Sequence, residues 1–239
     1  MSGSIHGIGV GPGDPELLTL KASRLIAEAD VVAYPCAEGA NSFARDIVAS
    51  HLGHALEEPI VVPMVTERHP AQHIYNEAAA RLSHHYNAGH RVVVLCEGDP
   101  FFFGSFMYLF DRLASTVPVE VVPGVSSLVA SAAAIPRPLA ARNDVLMVLS
   151  SVLPNETLAK RLHDAESVAF IKVGRHFQRL RKLLRDQDLE ASSYYCERIG
   201  TSNQRVERLD EVTGTAAPYF SMILTYRGSE RAITRGAQR

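Results

Sequence analysis

Three short stretches of this 239-residue chain set glycine, proline and acids where a ligand would meet backbone rather than side chain. The first is Gly7-Ile8-Gly9-Val10-Gly11-Pro12-Gly13-Asp14-Pro15, which runs out of an apolar segment starting at Ile5. Glycine has no Cβ and accepts positive φ, so such a strand end lets a ligand approach closely before a helix begins near Pro15. It is not a dinucleotide fingerprint, because the third glycine of G-x-G-x-x-G would fall on Pro12 or Asp14, and no Gly-Lys-Ser/Thr triplet makes a Walker loop. The second stretch, Cys96-Glu97-Gly98-Asp99-Pro100, puts two acids and a glycine at the carboxyl end of a buried run, where open α/β sheets hold their ligands. The third, Pro123-Gly124-Val125-Ser126-Ser127, follows Val119 to Val122. All three also read as plain helix starts, with Asp99 as a cap before Pro100 and Ser126 as another cap. Their recurrence at three strand ends points to one shared site.

Two other groupings bear on chemistry. Lys172, Arg175, His176, Arg179, Arg181, Lys182 and Arg185 crowd together, while Phe177, Leu180, Leu183 and Leu184 form an apolar stripe at helical spacing. That is also the pattern of a solvated basic face on an amphipathic helix. His69 and His73 stand four apart, followed by His84, His85 and His90, but Pro70 intervenes and no acid or cysteine converges on them. Surface histidines are the expectation, with no metal site. Cys36, Cys96 and Cys196 make no Cys-x-x-Cys pair, which suits a reducing cytoplasm.

The elements that position these residues follow from periodicity. Apolar runs at Ile5–Val10, Val31–Tyr34, Ile60–Val62, Val92–Leu95 and Val119–Val122 alternate with helix-like stretches at Glu16–Ala29, Ala71–Ala88 and Phe102–Ala114. Short buried strands alternating with helices predict a mostly parallel sheet. Later strands are expected at Val145–Leu149, Val168–Val173, Ser193–Cys196, Arg205–Arg208 and Phe220–Tyr226. The last three lack room for crossover helices, so a mixed sheet is predicted there. The chain thus reads as two α/β domains, 1–123 and 124–239, divided at the Pro123-Gly124 turn.

Composition excludes several classes of partner. Twenty-four Lys and Arg against 26 Asp and Glu leave a net charge of −2, which gives no broad basic field for nucleic acid or anionic lipid. Neither a secretory leader nor an unbroken apolar stretch of membrane-spanning length is expected.

The order GVGPGDPELLTLKA, EGDPFFFGSFMYLF and VVPGVSSLVASAAA resembles the tetrapyrrole (precorrin) methyltransferase family. The later segments RPLAARNDVLMVL, FIKVGRHFQRLRKLL, YYCERIGTSNQRV and APYFSMILTYRG are similar to its branch acting on carbon 20 of precorrin-2. The likeness runs from about Ile5 to Gly228. It implies S-adenosylmethionine as cofactor, leaving as S-adenosylhomocysteine, and a deep cleft between the domains. A homodimer, a tetrapyrrole substrate and independence of metal are implied as well.

Carried over by motif, Pro12 shapes the cofactor floor, and Gly98 and Asp99, with Phe102, hold the cofactor. Ser126 and Ser127 match the family's Pro-Gly-x-Thr/Ser pair. Related enzymes show Tyr-Met-Gly where this chain has Lys172-Val173-Gly174, so Val173 is expected to serve through its backbone. Tyr219 and Ser221 fall in a segment that lines the adenosine pocket. The implied substrate carries many carboxylates, for which Arg175 and His176, at a strand-to-helix turn, and Arg137, Arg142 and Arg198 are the candidate partners. Asp99 is the first candidate for a proton-accepting base and Glu97 the second. Uroporphyrinogen III, another precorrin, a cobalt-containing precorrin-2, or a noncatalytic sensor of the cofactor remain alternatives at this point.

Overall fold

A computed structural model describes residues 3–62, 68–230 and 233, and the side chain of His69 lies outside what is described. The chain splits into two compact units, Met1–Ser126 and Ser127–Arg239.

The first unit holds strands β1 (Ser4–Gly9), β2 (Val31–Cys36), β3 (Leu56–Val61), β4 (Arg91–Cys96) and β5 (Val119–Val122). Its helices are α1 (Leu20–Ala27), α2 (Phe43–Ile47), α3 (Arg68–Asn87) and α4 (Phe106–Leu113). The strands form one sheet in the order β3-β2-β4-β1-β5, parallel throughout. The run Arg91-Val-Val-Val-Leu-Cys96 shows why. Val92 and Val94 point to one face, against Tyr75, Leu82 and Leu109 of α3 and α4. Val93 and Leu95 point to the other, against Ile26 and Ile47 of α1 and α2. With both faces covered the strand needs no polar alternation, and each such side chain contributes roughly 1.5–3 kcal/mol through burial.

The chain leaves β1 towards β2 and β3, returns to β4, and then crosses β1 to reach β5. Connections leaving the adjacent strands β1 and β4 therefore diverge to opposite faces. Their carboxyl ends form the topological switch point, where doubly wound sheets bind ligands.

The second unit contains α5 (Ser127–Ala134), β6 (Leu146–Ser150), α6 (Asn155–His163), β7 (Ser167–Ile171), α7 (Phe177–Asp186), β8 (Ser193–Glu197), β9 (Arg205–Arg208) and β10 (Ser221–Tyr226). The sheet order is β6-β7-β10-β8-β9, with β6–β7 parallel and the remaining pairs antiparallel. It is the mixed sheet that the short connections demand. Leu158 and Leu162 of α6 and Phe177 and Leu180 of α7 bury one face against Phe170 and Tyr195. Because β7 and β8 both run against β10, they end at the same edge, where β10 begins.

Two helix starts differ from expectation. Pro15–Leu17 is a single 3-10 turn held by Asp14, and α1 begins only at Leu20, where the Thr19 hydroxyl accepts from the Ala22 N–H at 3.1 Å. Likewise Asp99 does not cap a helix at Pro100, because residues 101–105 stay irregular and α4 starts at Phe106. Among the described residues no helix is long and apolar enough to cross a membrane, and no group of three or more His, Cys, Asp or Glu is placed to hold a metal ion.

Candidate functional site

The three turns of the parallel sheet meet at the switch point. Gly11 and Gly98 form an antiparallel bridge, with the Gly98 N–H donating to the Gly11 carbonyl at 2.8 Å and the Gly11 N–H to the Gly98 carbonyl at 3.2 Å. The Val10 N–H donates to the Cys96 carbonyl at 2.9 Å, which extends the β1–β4 ladder into the turns. The third turn closes on the other two without room for a side chain. A Cβ on Gly9 would lie 2.6 Å from both Gly124 N and Gly98 O, and one on Gly124 would run into Gly98 O. Pro12 is buried between Gly11 and Gly13, whose φ values are +80° and +154°. The result is a ledge of backbone at the end of β1, β4 and β5.

One carboxylate fastens this ledge. Asp99 Oδ1 accepts from the Phe101 N–H at 2.9 Å and Oδ2 from the Gly124 N–H at 3.1 Å, joining the second turn to the third. Both oxygens accept from backbone N–H groups, which is a positioning role. Glu97 stands differently. Burial raises its carboxyl above the ordinary carboxylate value, against hydrogen bonds from the backbone N–H groups of Glu97 and Ala44. Asp99 thus holds the loop through two backbone hydrogen bonds, and Glu97 is the acid of this turn whose carboxyl is desolvated. Neighbouring Cys96 is buried too, its thiol pushed up to about 12 by burial and by the Glu97 charge.

Of the aromatic run, Phe106 belongs to the core, since its ring lies where a Cβ on Gly7 would stand. Phe101 and Phe103 are exposed and Phe102 half-buried. Ser126 is half-buried, and exposed Ser127 opens α5.

In the second unit, the carboxyl edge gathers Val173, Arg175, His176, Arg198, Tyr219 and Ser221. Ser221 Oγ accepts from the Gly174 N–H at 3.3 Å and donates to the Pro218 carbonyl at 2.7 Å, while the Arg198 N–H donates to the Phe220 carbonyl at 2.9 Å. These bonds bind the ends of β7 and β8 to the start of β10. The Val173 side chain is fully buried, leaving its backbone for any contact at this edge. Tyr219 is 66% exposed and packs edge-on to Phe220 at 5.1 Å. Desolvation, then the charges of Arg179 and Arg175, lowers the pKa of His176, so its ring is biased towards the neutral form. Lys172 (φ +57°) and Arg198 (φ +49°) are left-handed. For a residue with a Cβ that conformation costs about 1–2 kcal/mol.

The structure does not bring Arg137 and Arg142 to this edge. Arg137 is 8% exposed. Its guanidinium donates to the carbonyls of Ser192 and Leu224 at 3.3 and 3.4 Å and stacks over Tyr194 at 5.1 Å. Ser192 precedes β8, so Arg137 lies towards the amino end of that strand and is used up in holding the sheet. Arg142 pairs with Glu230 at 3.3 Å beyond the end of β10, again at the opposite edge. The basic helix is largely structural as well. Arg181 and Arg185 share Glu190, at 2.6 and 2.7 Å, and Lys182 pairs with Asp186 at 2.6 Å. Arg179 donates to the Leu153 carbonyl at 3.1 Å and to Ser151 and Asn155.

Two features escaped the motif reading. A cavity of about 270 Å³ lies beside the ends of β2 and β3, lined by Tyr34, Cys36, Asn41, Ser42 and Arg45 among others. Tyr34 and Arg45 both donate to Glu57 there, at 2.8 Å and at 2.9–3.0 Å. The Asn41-Ser42 pair is the one signal that marked it, as the start of the five-residue α2. The left-handed backbone of Lys172 and Arg198 left no signal, because neither residue type advertises it.

A doubly wound sheet with a glycine ledge at its switch point, followed by a mixed α/β unit, defines a class, and residues 4–213 match the model of the tetrapyrrole (corrin/porphyrin) methylases. The chain belongs to that family. It is 41% identical to the cobalamin biosynthesis protein CobIJ of Mycobacterium tuberculosis over 98% of this chain and 48% of that protein, so it spans about half the length of that relative. It is 37% identical to the precorrin-2 C(20)-methyltransferase of a Sinorhizobium species over 93% of this chain and 94% of that enzyme. Among solved structures, the uroporphyrin-III C-methyl transferase of Thermus thermophilus complexed with S-adenyl homocysteine is similar at a TM-score of 0.67, with 29% identity, 92% of this chain and 96% of that chain covered.

Proposed function

We propose that this chain transfers a methyl group from S-adenosylmethionine to carbon 20 of precorrin-2, giving precorrin-3A. The observation that carries this reading is the nearly full-length similarity to the Sinorhizobium precorrin-2 C(20)-methyltransferase. The donor supplies an electrophilic methyl on a sulfonium sulfur, and the meso carbon is the nucleophile. A ledge of backbone N–H and C=O groups, free of side chains at Gly9, Gly98 and Gly124, suits a cofactor that must be held closely yet released after each turnover. Pro12, Gly98, Phe102, Ser126 and Ser127 on this ledge, and Val173, Tyr219 and Ser221 at the edge of the mixed sheet, are the proposed cofactor contacts. Their task is alignment, worth up to ~7–11 kcal/mol for well-oriented reactants.

Carbon 20 also loses a proton. Glu97, with its carboxyl raised by burial, is the proposed acceptor, a contribution of roughly 10²–10⁴-fold. Asp99 keeps the turn in place. Arg175, His176 and Arg198 are proposed to meet substrate carboxylates.

The test is to incubate the chain with methyl-labelled S-adenosylmethionine and, separately, precorrin-2, its cobalt-containing counterpart and uroporphyrinogen III, and to follow mass. A single methyl gained by precorrin-2 is expected. Transfer to uroporphyrinogen III would overturn the carbon-20 assignment, preference for the cobalt form would move the substrate one step, and cofactor binding with no transfer would make the chain a sensor.

A further inference from the structure

Lys172 and Arg198 share three properties that no other pair of residues at this edge has. Each is the first residue after its strand, β7 or β8, each carries a long cationic side chain, and each sits in left-handed backbone. The two strands flank β10, so the cations stand two strand spacings apart, roughly 10 Å. Left-handed backbone at a strand end interrupts the alternation of faces, and the side chain then leaves the sheet at its rim instead of joining either packed face. Glycine would take this conformation without cost. Both positions instead carry exposed cations, next to exposed Tyr219 and Phe220.

The acid facing Arg198 is already engaged: Glu197 lies 3.5 Å from its guanidinium and accepts the Tyr195 hydroxyl at 2.7 Å. Arg205 stacks over Tyr195 at 5.7 Å and pairs with Glu207. An arginine has five donors, and one partner at this distance leaves the fork able to receive a second carboxylate.

We propose that Lys172 and Arg198 form a two-point grip for adjacent carboxylates on the rim of the tetrapyrrole, with Phe220 as the apolar surface against which the macrocycle lies. This rests on the methyl-transfer reading above and names residues for its substrate.

The experiment compares wild type, Lys172→Gly, Lys172→Arg, Arg198→Asn and the double variant Lys172→Gly/Arg198→Asn. Three quantities are read: KM for precorrin-2, Kd for S-adenosylmethionine by calorimetry, and the melting temperature. Loss of one charge-assisted bond raises KM about tenfold or more in each single neutral variant, and further in the double. Lys172→Arg restores it, the cofactor Kd stays put, and Lys172→Gly melts no lower than wild type because strain is relieved. An unchanged KM with a raised melting temperature would overturn the grip, since the two positions would then matter to the backbone alone. If the wild-type chain transfers no methyl, the methyl-transfer reading fails by itself. Equilibrium binding of precorrin-2 to the same variants then decides the grip without turnover.

Discussion

At the carboxyl edge of β1, β4 and β5 the turns touch one another through backbone atoms and a single carboxylate, whereas at the edge of β7, β8 and β10 cations and aromatic rings reach the surface. The first arrangement is intolerant of any added atom, because it consists of glycines in mutual contact fastened by one carboxylate. The second has its strand ends tied by ordinary hydrogen bonds, and its character resides in which side chains project.

The sharpest way to break that contrast is Gly124→Ala. Its Cβ would meet Gly98 O and the Gly9 backbone, none of which can rotate away, and a loss of about 3 kcal/mol or more is expected in urea unfolding. A loss under 1 kcal/mol would show that the ledge is loose. Arg137→Ala should cost about 2–3 kcal/mol, from the space left over Tyr194 and two carbonyls deprived of donors, with KM for the tetrapyrrole unmoved. A raised KM would return Arg137 to the substrate.

Asp99→Asn leaves one acceptor where two N–H groups need them, a cost of about 1–2 kcal/mol by thermal unfolding. Glu190→Gln tests the basic helix through pH. Arg185, then Arg181, holds the Glu190 carboxyl at about 2, below its ordinary 4.5. Its stabilisation is thus present above pH 4.5 and is lost as pH falls towards 2. The variant should be less stable by about 1–2 kcal/mol at neutral pH, after allowance for the exposure of Arg185, and the gap should close in acid. The smallest effect is expected from Glu97→Gln, with the opposite sign. A carboxyl raised by burial destabilises the fold as pH climbs past its ordinary value. The variant's melting temperature should therefore gain on wild type as pH rises above the ordinary value of 4.5. A gain that is flat with pH would show that the group is not desolvated.

The parallel sheet was legible because runs such as Val92–Leu95 have no polar residue to hide a face, and the ledge was legible because glycine is the residue a Cβ-free contact requires. Strand β3 was read as Ile60–Val62 and starts at Leu56, since Glu57, Glu58 and Pro59 belong to an edge strand whose polar members give no alternation signal. Arg137, set between two prolines, reads as an exposed loop cation, and only the tertiary fold turns it inward. Asp99 shows a further limit: its type and place fit base, cap and cofactor ligand alike, and the choice among them depends on Gly124, which is distant in sequence.

The strand order has one more consequence, for the making of the protein. Of the strands in this sheet β1 is synthesised first, yet it pairs with nothing nearby: Ser4 faces Arg91 and Ile5 faces Val119. β2 and β3, with Val31 opposite Leu56, can pair long before that. The Ile5–Gly9 segment must wait as an unpaired, apolar ribbon until β4 and β5 have been synthesised, a long-range closure of the kind that slows folding and exposes nascent chains to aggregation. The glycine ledge is thus the last part of the parallel sheet to come into being, completed only when Gly124 itself has emerged.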